Sequence, residues 1–148
     1  MDAEQPRRNA LDVCLLLTRA EAELRRRFDV PLSDGHGLSL NDFTLLDHLD
    51  RAPEHQMRRV DLASRVGLTP SGVTRLLAPL ERIGLVERRA DAADARVSLA
   101  ALTPTGTRHV DEARRTARRV AAEVLSERYD SDEIDLVASL LARLVPRS

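Results

Sequence analysis

The run Gly67-Leu68-Thr69-Pro70 constrains this chain more than any other stretch of its sequence. Before it, DLASRV (61–66) has the apolar spacing of a short helix, with Leu62, Ala63 and Val66 on one side. Gly67 then stops that helix, because glycine enters the left-handed backbone conformation without a side-chain clash. Leu68 reads as a buried plug, Thr69 as an N-cap and Pro70 as a first helical residue whose missing N–H costs nothing there. A second helix, PSGVTRLLAPLERI, continues to Gly84 with Val73, Leu76, Leu77 and Leu80 inward. Helix, tight glycine turn and capped helix together are the signature of a helix-turn-helix. Pro79 removes one backbone hydrogen bond from the second helix and predicts a mild kink near its end.

After Gly84 the apolar period changes. LVERR (85–89) and RVSLAAL (96–102) read as strands around a tip, ADAADA, of small and acidic residues. This pattern predicts a β-hairpin wing. Upstream, residues 1–9 read as frayed, and 10–29 as a helix with Leu11, Cys14, Leu17, Leu24 and Phe28 on one face. Val13, Leu15 and Leu16 make its first half apolar nearly all round, as in helices packed between partners. PLSDGHG (31–37) reads as a loop. Ser39 with Asp42 opens a second helix, with Phe43, Leu46 and Leu49 as its core face, which stops before Pro53. MRRV (57–60) suits a very short strand. Downstream, Thr103-Pro104 opens a long helix to about residue 128, with Val110, Ala113, Ala117, Val120, Ala121 and Val124 inward. Asp130 and Glu133 cap a last helix carrying Ile134, Val137, Leu140, Leu141 and Leu144.

The expected fold is mainly α: six helices and a winged helix-turn-helix with a short β-hairpin. The expected division is N-terminal helices (10–52), a winged helix-turn-helix region (57–102) and C-terminal helices (103–148). A lone domain has no core that buries both the 11–17 segment and the 134–144 face, so a homodimer built from the two ends is expected.

Composition limits the function. Aromatics are 2% of the 148 residues, which leaves no platform for stacking single-stranded bases. No apolar run reaches membrane-spanning length, and the N-terminus leads into a charged helical pattern without a small-residue cleavage site. One cysteine, Cys14, cannot form an internal disulfide, and a cytoplasmic setting is expected. The net charge of −1 argues against nucleic acid until its distribution is read. Residues 58–96 hold eight arginines against five acids, while the remainder of the chain holds fifteen arginines against nineteen acids. All 23 basic residues are arginine, so each basic contact can be a bidentate fork on phosphate or guanine. Glycine-rich phosphate loops, G-x-S-x-G elbows and paired-histidine metal motifs are absent, so the sequence offers no catalytic constellation and implies no cofactor.

The stretch from about Gly37 to Gly106 resembles the MarR family of bacterial transcription regulators. The resemblance rests on LASRVGLTPSGVTRLLAPLERIGLVERR, on DAR at 94–96 and on LTPTG at 102–106. It implies a homodimer whose first and last helices interlock, two wings straddling DNA, and often repression relieved by a small anionic aromatic effector. It also implies that Asp94 holds Arg96 in place.

The candidate DNA-binding residues follow. The second helix of the motif presents its N-terminal turns to the major groove, and Ser71, Thr74 and Arg75 lie opposite its apolar face. Arg75 can fork to guanine O6 and N7, or clamp a phosphate. Thr69 and the free N–H groups at the helix start suit a phosphate. Arg96 beside the wing tip is the candidate for the minor groove, and of Arg88 and Arg89 one is expected to face phosphate.

Effector-binding candidates are Arg19, His36 and His48, polar anchors for an anion between the first, second and fifth helices. No HxxxH or CxxC spacing favours a metal, although His36 and His109 could approach each other as ligands do in metal-sensing family members. Cys14 resembles the reactive cysteine of the family's peroxide-sensing branch, but that branch supports its thiolate with nearby tyrosines. Here Tyr129 is the only tyrosine, so a buried, inert thiol is expected. The competing class is a winged-helix protein–protein interaction module. Such a module has no reason to keep a basic groove-facing residue in both helix and wing.

Overall fold

A computed structural model describes residues 9–145; of the expected fraying of residues 1–9, residues 1–8 lie outside them, while Asn9 is instead the N-cap of the first helix, its side chain accepting from the Asp12 N–H at 2.9 Å. The order is α1 (Ala10–His36), α2 (Leu40–Arg51), a single 3-10 turn (Pro53–His55), β1 (Gln56–Arg58), α3 (Arg59–Val66), α4 (Pro70–Arg82), β2 (Val86–Ala90), β3 (Ser98–Leu102), α5 (Pro104–Ala121) and α6 (Ser131–Ala142). A π-helical stretch, Ala122–Ser126, carries α5 toward α6. The strands form one antiparallel sheet in the order β1-β3-β2, with Ala100 facing Met57 on one side and Arg88 on the other. The architecture is the expected one, six helices around a small winged sheet.

The predicted caps are in place. Ser39 and Asp42 form a reciprocal capping box, as do Asp130 and Glu133. Thr69 accepts from the Gly72 N–H at 3.0 Å, and Thr103 from that of Gly106 at 3.0 Å. Each such cap contributes about 1 kcal/mol by satisfying a donor at the helix start. Gly67 ends α3 at φ 67°, where a side chain would be strained. The Leu68 N–H then returns to the Ala63 carbonyl (3.0 Å) and turns the chain into α4.

The expected loop at 31–37 is instead the last part of α1, which ends at Gly37. An interior proline costs a helix about 3 kcal/mol. Neighbouring contacts offset it: Leu32 is fully buried, worth about 1.5–3 kcal/mol. Asp29 also accepts from the Leu40 N–H at 2.7 Å, which holds the turn between α1 and α2.

Leu32, Leu45, Leu46, Leu49, Leu62, Val73, Leu77, Val86 and Val110 make one continuous core from α1, α2, the helix-turn-helix, the sheet and α5. Among the described residues no polar or charged residue is fully buried. The two ends of the chain contrast with this centre. Leu11, Leu15 and Leu16 on α1, and Val137, Leu140 and Leu141 on α6, are exposed, and no residue of α6 is buried. Leu16, Leu125, Ile134, Val137 and Leu141 line an open apolar cleft between them. Cys14, expected to be buried, is exposed in the single chain because it lies on that uncovered half of α1.

Candidate nucleic-acid interface

Helix α4 is held by Val73, Leu77 and Leu80, which face the core. That burial turns Ser71, Thr74 and Arg75 outward, where with Pro70 they line one shallow surface groove. The Thr74 hydroxyl donates to the Pro70 carbonyl one turn back (3.1 Å), leaving its oxygen free to accept. The Thr69 oxygen is engaged as the helix cap, so its role toward a phosphate is limited to its own O–H.

The wing supplies a second basic surface. Asp94 accepts from the Arg96 backbone N–H at 3.0 Å, from Nε at 3.1 Å and from Nη2 at 3.2 Å. The two side-chain bonds to one carboxylate orient the guanidinium, yet the Arg96 side chain keeps 91% of its surface exposed. The Arg96 bonds hold the Asp94 carboxyl below the ordinary aspartate range, so it is ionised at neutral pH. Arg88 and Arg89, both exposed, line one groove with Arg96 and Ser98. Arg88 Nε donates to Ser98 Oγ at 2.9 Å, whereas Arg89 pairs with Glu87. Arg88 therefore has no carboxylate of its own within the wing and Arg89 does. Where the wing tip begins, Arg58 on β1 reaches Asp91 at 3.2 Å, fastening the tip to the sheet.

The effector candidates are not gathered into one pocket. Arg19 is exposed on α1. His36 lies at the seam between α1 and α5, bonded through Nε2 to Thr116 Oγ1 at 2.7 Å. His109 Nε2–H donates to the His36 carbonyl at 2.8 Å. The two rings do approach, edge to face at 6.1 Å, and both are used in fastening the two helices. His48 sits on α2 within the field of Arg65 of α3; burial first, then Arg65 and Arg51, push its imidazole below the ordinary value, against the pull of Asp47. It is neutral at pH 7 and a poor anchor for an anion.

Sequence reading missed the largest charged cluster. Arg114 on α5 reaches Asp47 at 2.9 Å, Asp50 at 2.7 Å and Asp111 at 2.6 Å, with its side chain 16% exposed. Desolvation pulls the Arg114 pKa down, but the bonds it donates to Asp50 and Asp47 together outweigh that and hold it above the ordinary value, tying α2 to α5. An Asp-x-x-Asp pair on one helix and an arginine on another carries a signal only when their packing is known.

An outward-facing capped helix after a tight turn, followed by a basic wing, defines a winged helix-turn-helix DNA-binding protein. Residues 36–97 match the family model described as the MarR family. A curated relative, the uncharacterised HTH-type transcriptional regulator Mb0904 of Mycobacterium bovis, is 31% identical over 143 residues, covering 95% of each chain. The HTH-type transcriptional repressor YetL of Bacillus subtilis is 31% identical over 113 residues, 76% of this chain and 67% of that one. Another curated relative, 32% identical, is spanned over 58% of its length. Among solved structures, the MarR family regulator Sco3205 of Streptomyces coelicolor, in complex with DNA, superposes with a TM-score of 0.81 at 21% identity, covering 93% of this chain and 90% of that one. This chain belongs to the MarR family of winged helix-turn-helix transcription regulators.

Proposed function

We propose that the chain is a cytoplasmic, homodimeric repressor that binds an inverted-repeat DNA operator and is released by a small, often anionic and aromatic, effector. The observation that carries the DNA-binding part is the pairing of Arg75 on the outward face of α4 with Arg96 on the wing, braced by Asp94. In this reading Ser71, Thr74 and Arg75 meet base edges in the major groove. Thr69 and Arg88 meet phosphate, Arg96 enters the minor groove, and Arg89 is balanced by Glu87.

The dimer is supported by the uncovered apolar surface at both ends of the chain. Leu11 is 65% exposed and Leu144 68%, a distribution that a stable monomer rarely shows over so many neighbouring residues. Two-fold symmetry then requires two half-sites about one helical turn apart. Among the described residues no helix is long and apolar enough to cross a membrane. The reading assigns no catalytic activity, since the polar clusters tie helices together and brace the wing.

Selection of genomic fragments with the purified protein tests this function. Symmetric enriched sites, bound by a species of twice the chain mass in light scattering, are the expected result. Enrichment of single unsymmetrical half-sites, or a folded monomer at micromolar concentration, would reject it.

A further inference from the structure

Arg59, the first residue of α3, pairs through Nη2 with Glu81 near the end of α4. Their side chains are 16% and 32% exposed, so the pair is largely withdrawn from water. Arg59 Nε is buried with no hydrogen-bond partner among the described residues. A desolvated pair that leaves one donor unsatisfied is a poor source of stability; apolar side chains of similar size usually do as well or better.

Its position suggests another use. Apolar contacts between α3 and α4, through Leu62, Ala63, Val73 and Leu77, set how closely the helices approach but do little to fix the roll of one on the other. Pro79 has no N–H for the Arg75 carbonyl one turn back, so the backbone ladder is interrupted beside a residue assigned to base reading. Glu81 lies just beyond that interruption.

We infer that Arg59 and Glu81 form a clamp that sets the angle at which Ser71, Thr74 and Arg75 meet the bases, acting as positioning residues and not as DNA contacts. The inference rests on the DNA-reading role proposed above. The clamp pins the C-terminal side of the interruption to α3, so the reading turns of α4 leave it in one fixed direction. Without it the apolar packing survives, and the reading turns are no longer held to one roll.

The test measures affinity against salt on the best selected operator and on a scrambled copy, alongside thermal melting. Glu81→Gln and the double variant Arg59→Met, Glu81→Leu should each lose about tenfold in operator-over-scrambled preference, the size of one misread base pair. Affinity for the scrambled DNA and the salt slope should stay at wild-type values, because every phosphate-binding group is still in place. The double variant should melt at or above the wild-type temperature. Exchanging the charges, Arg59→Glu with Glu81→Arg, should restore most of the preference. Unchanged preference in a folded double variant would overturn the clamp, as would a salt slope that falls with the double variant but not with Glu81→Gln. If the double variant does not fold, failure of the charge exchange to recover the preference lost in Glu81→Gln overturns it instead. A wild-type protein indifferent to the two DNAs would overturn both the clamp and the DNA-reading role, which separates that failure from the others.

Discussion

Arg75 and Arg96 are both exposed, yet they are set differently. Arg75 projects from a helix packed by Val73, Leu77 and Leu80, while Arg96 projects from a hairpin and is aimed by Asp94. In the major groove each base pair is distinguishable, so Arg75→Ala should cost about 1–3 kcal/mol and relax preference at one position per half-site. Binding to single-base operator variants measures both. The minor groove offers mainly width and a distinction between A·T and G·C. Arg96→Ala should therefore weaken binding to operator and scrambled DNA alike and lower the salt slope by about one ion per protomer. Asp94→Ala should do the same more weakly, since Arg96 stays charged but loses its brace. The lowered pKa of Asp94 means the brace is complete above the ordinary aspartate range and fails only as pH falls through the lowered value. Mild acidification should leave the wing's share of affinity intact. A loss of half-site preference in Arg96→Ala would remove the wing from the minor groove.

The element most closely fitted to its neighbours is the start of α5. Thr103 donates through its hydroxyl to the Gly84 carbonyl (2.6 Å), and its N–H donates to the Leu85 carbonyl (3.0 Å). A Cβ on Gly106 would lie 2.0 Å from the Leu85 carbonyl oxygen, so any side chain there displaces backbone. Gly106→Ala should destabilise by about 1–3 kcal/mol or more, as overpacking does. Gly35→Ala, in the last turn of α1 with open space around the new Cβ, should raise stability by about 0.4–1 kcal/mol. Denaturant unfolding of the two variants gives the comparison directly. These elements also show what a sequence can reveal. The caps at Ser39, Thr69, Thr103 and Asp130 were legible because a cap is a local pattern of side chain and N–H. The final turns of α1 were not, because the contacts that outweigh Pro31 come from Leu40 and from the core around Leu32. Arg114 was missed for the same reason, its partners Asp47 and Asp50 lying on another helix. The exposed positions of Arg75 and Arg96 on helix and wing could be read because the helix-turn-helix and wing are short-range motifs. Arg19, His36 and His48 were grouped by helix number, and the folded helices present them on different surfaces.

At the scale of the whole molecule, the core is complete in the middle and unfinished at both ends. Deleting residues 131–148 should leave the α1 apolar surface without its cover and abolish both assembly and DNA binding. Light scattering and operator binding of the truncated chain check this, and a truncated chain that still binds its operator as a dimer would move the interface elsewhere. The junction at Thr103 and Gly106 bears on the molecule as a machine. The exit of α4, the first strand of the wing and the root of α5 meet within a few residues of backbone, joined by carbonyl contacts too close to slide. The root of α5 is thus bonded to the segment, Gly84-Leu85, that leads from α4 into the wing. In the proposed regulator, a displacement of α5 is therefore expected to carry the end of α4 and the first strand of the wing with it, through the bonds at Leu85.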